Sequence, residues 1–131
     1  MFMYGSAVIG DSSKETAAVS SESGYSNKAT EEGGGIYSTG ELYLGFSSAD
    51  KEALLTGGVY YNYAKNTGGV YQKGSTSSKE FKLNSGSVSY NAERGIWVGS
   101  SKFTMTGGTV SGNTALDTDD EHSKTGAGVY A

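Results

Sequence analysis

Three groups of residues have types and spacings that could do chemistry. The first is aromatic. Tyr37, Tyr71, Trp97 and Tyr130 each follow a Gly-aliphatic pair: Gly35-Ile36, Gly69-Val70, Gly95-Ile96 and Gly128-Val129. A row of aromatic rings can hold sugars, because the C–H faces of a sugar pack on π surfaces while its hydroxyls reach polar groups. These four residues are therefore a candidate glycan platform. The second group is the acidic run Asp117, Asp119, Asp120 and Glu121. Its oxygens could serve calcium, but it lacks the Gly and the fixed spacing of a calcium loop, and near-adjacent carboxylates also read as a solvated, repelling loop. His122 is the single His and cannot make a metal site alone. The third group is Glu80, Lys82, Glu93, Arg94 and Lys102, which could supply carboxylates or bases for cleaving a glycan. Hydrolysis needs two carboxylates at a set separation across one groove. Nothing in the spacing pairs these residues that way, and Glu93-Arg94, just before Gly95, reads as a simple surface pair. No nucleophile elbow, Walker loop or dinucleotide fingerprint is present. The expectation is a protein without catalytic residues, metal or cofactor.

Composition narrows the setting. The chain has 131 residues, of which Gly, Ser and Thr make about 40 %, while hydrophobic residues make 35 %. That is low for a packed two-layer core. Charged residues, at 18 %, are too few for charge-driven disorder, and ten Tyr argue for order. There is no Cys and no Pro, so neither disulfides nor Pro-stiffened turns are available. A net charge of −4 offers no basic stripe for nucleic acid. No segment approaches the length of a membrane span, and the apolar start lacks the basic flank of a signal peptide.

The elements that must position these residues emerge from internal repetition. The Gly of the Gly-aliphatic-aromatic element recur at spacings of 34, 26 and 33 residues. An apolar-x-apolar element follows each of the first three: Leu42-Tyr43-Leu44, Phe81-Lys82-Leu83 and Phe103-Thr104-Met105. Next, Ser85–Asn91 aligns with Gly107–Asn113, with Gly57–Tyr63 as a weaker copy, and Met3–Asp11 is placed on Met105–Asn113. Short strands with period-two patterning at a fixed repeat predict an all-β, right-handed parallel β-helix of about four coils. Parallel pairing sets equivalent residues one above another at about 4.8 Å. Four inward columns follow: Ile36, Val70, Ile96 and Val129; Leu42, Phe81 and Phe103; Leu44, Leu83 and Met105; and Val8, Val88 and Val110. Asn91, Asn113 and Asp11 would make a ladder at one corner, and the Gly pairs would supply positive φ at corners. The aromatic residues then form one outer column, as stabilising stacks or as a ligand platform. If the register is reversed, they belong to the core. Extra residues leave as loops at Ser12–Glu32, Gly45–Ala53 and Ala115–Thr125, and Ser47–Leu55 could make a turn of helix.

Gly34-Gly35-Ile36-Tyr37 and Phe103–Ala115 resemble the Gly-rich repeats of right-handed parallel β-helix proteins of the polymorphic outer-membrane protein and bacterial surface adhesin kind. The resemblance implies the pectin lyase-like solenoid, a secreted or cell-surface location and an extracellular glycan or host surface as partner. It implies no particular activity, since this fold carries many. Residues 1–131 are read as a single domain of a longer repeat protein, with no nucleic-acid partner and no membrane insertion. Uncapped strand edges at either end would allow end-to-end self-association.

Overall fold

The computed structural model describes residues 2–3, 7–9, 16–20, 27–45, 56–74, 79–114 and 127–131. Among these the chain is all-β, without a helix. A first pass contributes β1 (Phe2–Met3), β2 (Ala7–Ile9), β3 (Thr16–Ser20) and β4 (Asn27–Ala29). A second contributes β5 (Ile36–Ser38), β6 (Leu42–Leu44), β7 (Thr56–Tyr60) and β8 (Asn62–Ala64). Then come β9 (Val70–Gln72), β10 (Glu80–Leu83) and β11 (Ser87–Ser89), followed by β12 (Ile96–Val98), β13 (Lys102–Met105) and β14 (Thr109–Ser111), and last β15 (Val129–Tyr130). Every pairing is parallel. The first sheet runs β1-β5-β9-β12-β15, the second β2-β6-β10-β13, the third β3-β7-β11-β14, and β4 pairs with β8. On each pass the chain visits the sheets in the same order.

The strands are short because each contributes only one or two apolar residues to the interior. Ile36, Val70 and Ile96 are register partners and are fully buried. So are Leu42 and Phe81, and Leu44 and Leu83 nearly so. Val59 and Val88 fill the third sheet's column. These residues form one apolar cluster, against which Val19, Phe103 and Val110 pack partly buried. A core of single-residue columns needs few apolar residues per turn of chain, which reconciles order with the low hydrophobic content.

Three expectations are corrected here. Val8 is not in the column of Val88 and Val110. It pairs with Tyr43 in the second sheet, and that column is Val19, Val59, Val88 and Val110. A three-residue strand with period two fits either sheet by pattern alone, so the short Ala7-Val8-Ile9 carried no register information. Second, Ser12–Glu32 does not leave as one loop: Thr16–Ser20 and Asn27–Ala29 are strands, and Glu32 bridges to Thr67. Third, the recurrent Gly before each aliphatic residue is not there for positive φ. A Cβ on Gly69 would stand 2.1 Å from the Gly95 carbonyl oxygen, so close backbone approach forbids any larger residue. Positive φ is used instead at Gly86 (φ +78°) and Gly108 (φ +77°), the corner before β11 and β14. The segment Gly45–Ala53 beyond Gly45, the helical turn at Ser47–Leu55, and Asp11 lie outside the described residues.

Candidate functional site

The aromatic column is assembled by the first sheet. Tyr37 pairs with Tyr71, Tyr71 with Trp97 and Trp97 with Tyr130, each one residue after a buried aliphatic partner. Strand alternation therefore turns the rings outward, and the reversed register is excluded. Tyr37 and Trp97 are half-buried and Tyr130 is 38 % exposed, but Tyr71, flanked on both sides, is only 8 % exposed. Tyr37 and Tyr71 stack with centroids 5.3 Å apart and planes 25° apart. Trp97 meets Tyr71 at 5.1 Å and Tyr130 at 5.4 Å, both near-perpendicular at 80°. The rings thus direct much of their surface at one another. Burial pushes the Tyr71 hydroxyl up to about 12, helped by the charge of Glu32, by Tyr37, and by its hydrogen bond to Glu32.

Arg94 joins this column, contrary to the expected surface pair. Glu93 is 3 % exposed and Arg94 5 %. The Arg94 guanidinium lies 5.0 Å from the Trp97 ring centre and 5.2 Å from that of Tyr130, while Nη1 donates to the Asn66 carbonyl at 2.8 Å. A cation over two ring faces is stabilised by their negative quadrupoles, more so when desolvated. The tight turn that brings Glu93 (φ +69°) and Arg94 inward is what pattern reading missed. An Arg next to Gly looked like a surface residue.

A second ladder stands at the corner after the third sheet. Asn27 Nδ2 donates to Asn62 Oδ1 at 2.9 Å, Asn62 Nδ2 to Asn91 Oδ1 at 2.9 Å, and Asn91 Nδ2 to Asn113 Oδ1 at 3.0 Å. Each amide also bonds the carbonyl of a column valine: Asn62 to Val19, Asn91 to Val59, Asn113 to Val88. Asn91 and Asn113 were legible in the sequence, whereas Asn27 and Asn62 were not. The signal was present in Tyr61-Asn62 against Tyr90-Asn91. Both tyrosines take positive φ (+53° and +56°), and their rings stack at 5.4 Å.

On the outer face of the second sheet, Lys82 pairs with Tyr43 and Thr104, as expected. Glu80 sits among Lys82 (3.5 Å), Lys102 (3.3 Å) and the Thr104 hydroxyl, which donates at 2.6 Å. The Thr104 bond, with that of Lys102 and the two ammonium charges, holds the Glu80 carboxyl below the usual carboxylate range against partial desolvation. A carboxylate so held is committed to its partners and is a poor proton donor near neutrality.

An open depression of about 390 Å³ adjoins the column at Tyr37 and is lined also by Lys28, Thr30, Glu31 and Glu32. Among the described residues no group of three or more His, Asp or Glu is placed to hold a metal ion. Asp117, Asp119, Asp120, Glu121 and His122 lie outside the described residues. Comparison with protein-family models, with curated proteins and with solved structures finds no match in any of the three.

Proposed function

We propose that the chain is a right-handed parallel β-helix acting as a non-catalytic structural module, of the kind used at bacterial surfaces or in secreted scaffolds and adhesins. Three observations support the fold. All pairings are parallel, each pass visits the sheets in the same order, and like residues stack at equivalent positions. The hand follows from the strong preference of parallel strand crossovers for the right-handed sense. The observation that carries the functional reading is the mutual packing of Tyr37, Tyr71, Trp97 and Tyr130. Rings that spend their surfaces on each other and on Arg94 bind neighbouring turns of chain together. The surface location rests on the sequence motifs alone.

A second reading, glycan binding, is favoured by the depression beside Tyr37, where a half-exposed ring meets Glu31, Glu32 and Lys28. Such a mixture of one aromatic face and fixed polar groups suits a sugar. Fluorescence of the single Trp97, with a soluble quencher and a panel of polysaccharides, separates the readings. The structural module predicts quenching that no glycan changes. Saturable protection by a glycan, lost in Tyr37→Ala, establishes the second reading instead.

A further inference from the structure

The last turn of the structure leaves an apolar edge. Thr109 N–H bonds the Gly86 carbonyl and Thr106 N–H that of Leu83. Alternate residues of a parallel strand bond the same neighbour, so the backbone groups of Met105 and Val110 point away, toward no strand among the described residues. Met105 is 44 % exposed and Val129 36 %, although their register partners Leu83 and Ile96 are buried. The opposite edge is formed by β1, β2 and β3, which pair on one side only.

The register shows what fits. If β2 and β3 of another copy lie on β13 and β14, Ala7 meets the Phe103 position, Ile9 the Met105 position and Val19 the Val110 position. Asn27 continues the ladder beyond Asn113. In the first sheet the place below β5 is held by the two-residue β1, with Phe2 opposite Tyr37. Strand β15 carries Tyr130 in that same aromatic column and Val129 in the column of Ile36. It therefore brings to the β5 edge an aromatic residue in place of Phe2, together with an aliphatic one.

We infer that the chain assembles head to tail with a second copy of itself, β15 of one copy displacing β1 of the next while β13 and β14 receive β2 and β3. Each column then continues with residues of its own kind: aromatic, aliphatic, Val and Asn. The contact is heterologous, so it propagates rather than closing at two copies. The inference rests on the β-helix reading.

Sedimentation velocity of the 131-residue chain across a wide concentration range tests it. The expected result is a concentration-dependent series of multiples of the 13.6 kDa chain. Met105→Lys puts a charge on an exposed edge residue and abolishes the series, with an unchanged far-ultraviolet spectrum showing that the variant is folded. Deleting residues 1–6 removes the strand to be displaced and shifts association to at least tenfold lower concentration. A chain that stays monomeric throughout, one whose association survives Met105→Lys, or one whose association is lost on deleting residues 1–6 overturns the inference. Failure here with correct strand register in the monomer leaves the β-helix reading standing, whereas wrong register removes both.

Discussion

The Asn ladder and the aromatic column are both stacks of like residues repeated once per turn of chain, yet they hold the molecule in different ways. Asn62 and Asn91 are fully buried, and each side chain is bound on two sides by neighbouring turns. No other side chain of similar size offers a donor and an acceptor in that geometry, so the position admits one residue type. The aromatic column faces outward and is joined by dispersion and quadrupole contacts, which accept Tyr or Trp in stacked or perpendicular arrangements. The difference teaches that repetition of residue type has two origins: the inner ladder repeats because its hydrogen bonds must close, and the outer one because large flat side chains in register shield one another.

Substitutions break this comparison in a predictable order. Asn91→Ala has the largest effect. It leaves the Asn62 backbone N–H without its Asn91 Oδ1 acceptor and the Val59 carbonyl without the Asn91 amide. Each buried group left unsatisfied costs about 1–3 kcal/mol. The expected loss is roughly 3–5 kcal/mol, enough to unfold a domain of ordinary stability, and urea titration followed by circular dichroism measures it. Trp97→Ala comes second. It deletes two ring contacts and the surface under Arg94, for about 1–3 kcal/mol. Trp97→Tyr, by contrast, restores most of that in the same urea titration. If Asn91→Ala were milder than Trp97→Ala, the assignment of the inner ladder as the more demanding stack would be wrong.

Two pH limbs sharpen the comparison on the outer faces, with smaller effects. Tyr71 has its folded value raised to about 12 from the ordinary 10. The folded state therefore keeps a proton that the unfolded chain gives up. Stability is unaffected below pH 10 and falls as pH rises toward 12. Tyr71→Phe removes part of this alkaline limb, read as the shift of thermal midpoint with pH. Glu80 is displaced in the other direction. Its lowered value stabilises the fold above the ordinary carboxylate range, and this is lost as pH falls through the folded value. Glu80→Gln flattens the acid limb by less than the Tyr71 change, because Glu80 and its two lysines are exposed to solvent screening.

How far the sequence could be read depended on how many positions voted for each element. The first and second sheets each offered three or four copies of a motif, and their columns were legible down to the register of Leu42, Phe81 and Phe103. The outward direction of Tyr37, Tyr71 and Trp97 was one of several readings until burial of Ile36, Val70 and Ile96 decided it. Val8 was misplaced because one three-residue strand casts a single vote. Thr16–Ser20 was hidden because its strand carries one large apolar residue, Val19, among Thr, Ala and Ser. Arg94 escaped notice because its burial depends on backbone geometry at Glu93, which no periodicity encodes.

Strand register is the central claim, and the absence of Cys from the chain allows a direct test. Tyr43, Lys82 and Thr104 sit at one position on the outer face of three successive strands. Adjacent strands place such residues about 4.8 Å apart and alternate strands about 9.6 Å, and a disulfide closes only when the Cα atoms lie within about 7 Å. Cys pairs at these positions would be oxidised in the folded protein and the cross-linked fraction measured. The account predicts cross-linking in Tyr43→Cys with Lys82→Cys and in Lys82→Cys with Thr104→Cys, and none in Tyr43→Cys with Thr104→Cys. Efficient cross-linking of the outer two, or failure of both adjacent pairs, would contradict the parallel, in-register stacking on which the columns, the ladder and the assembly all depend.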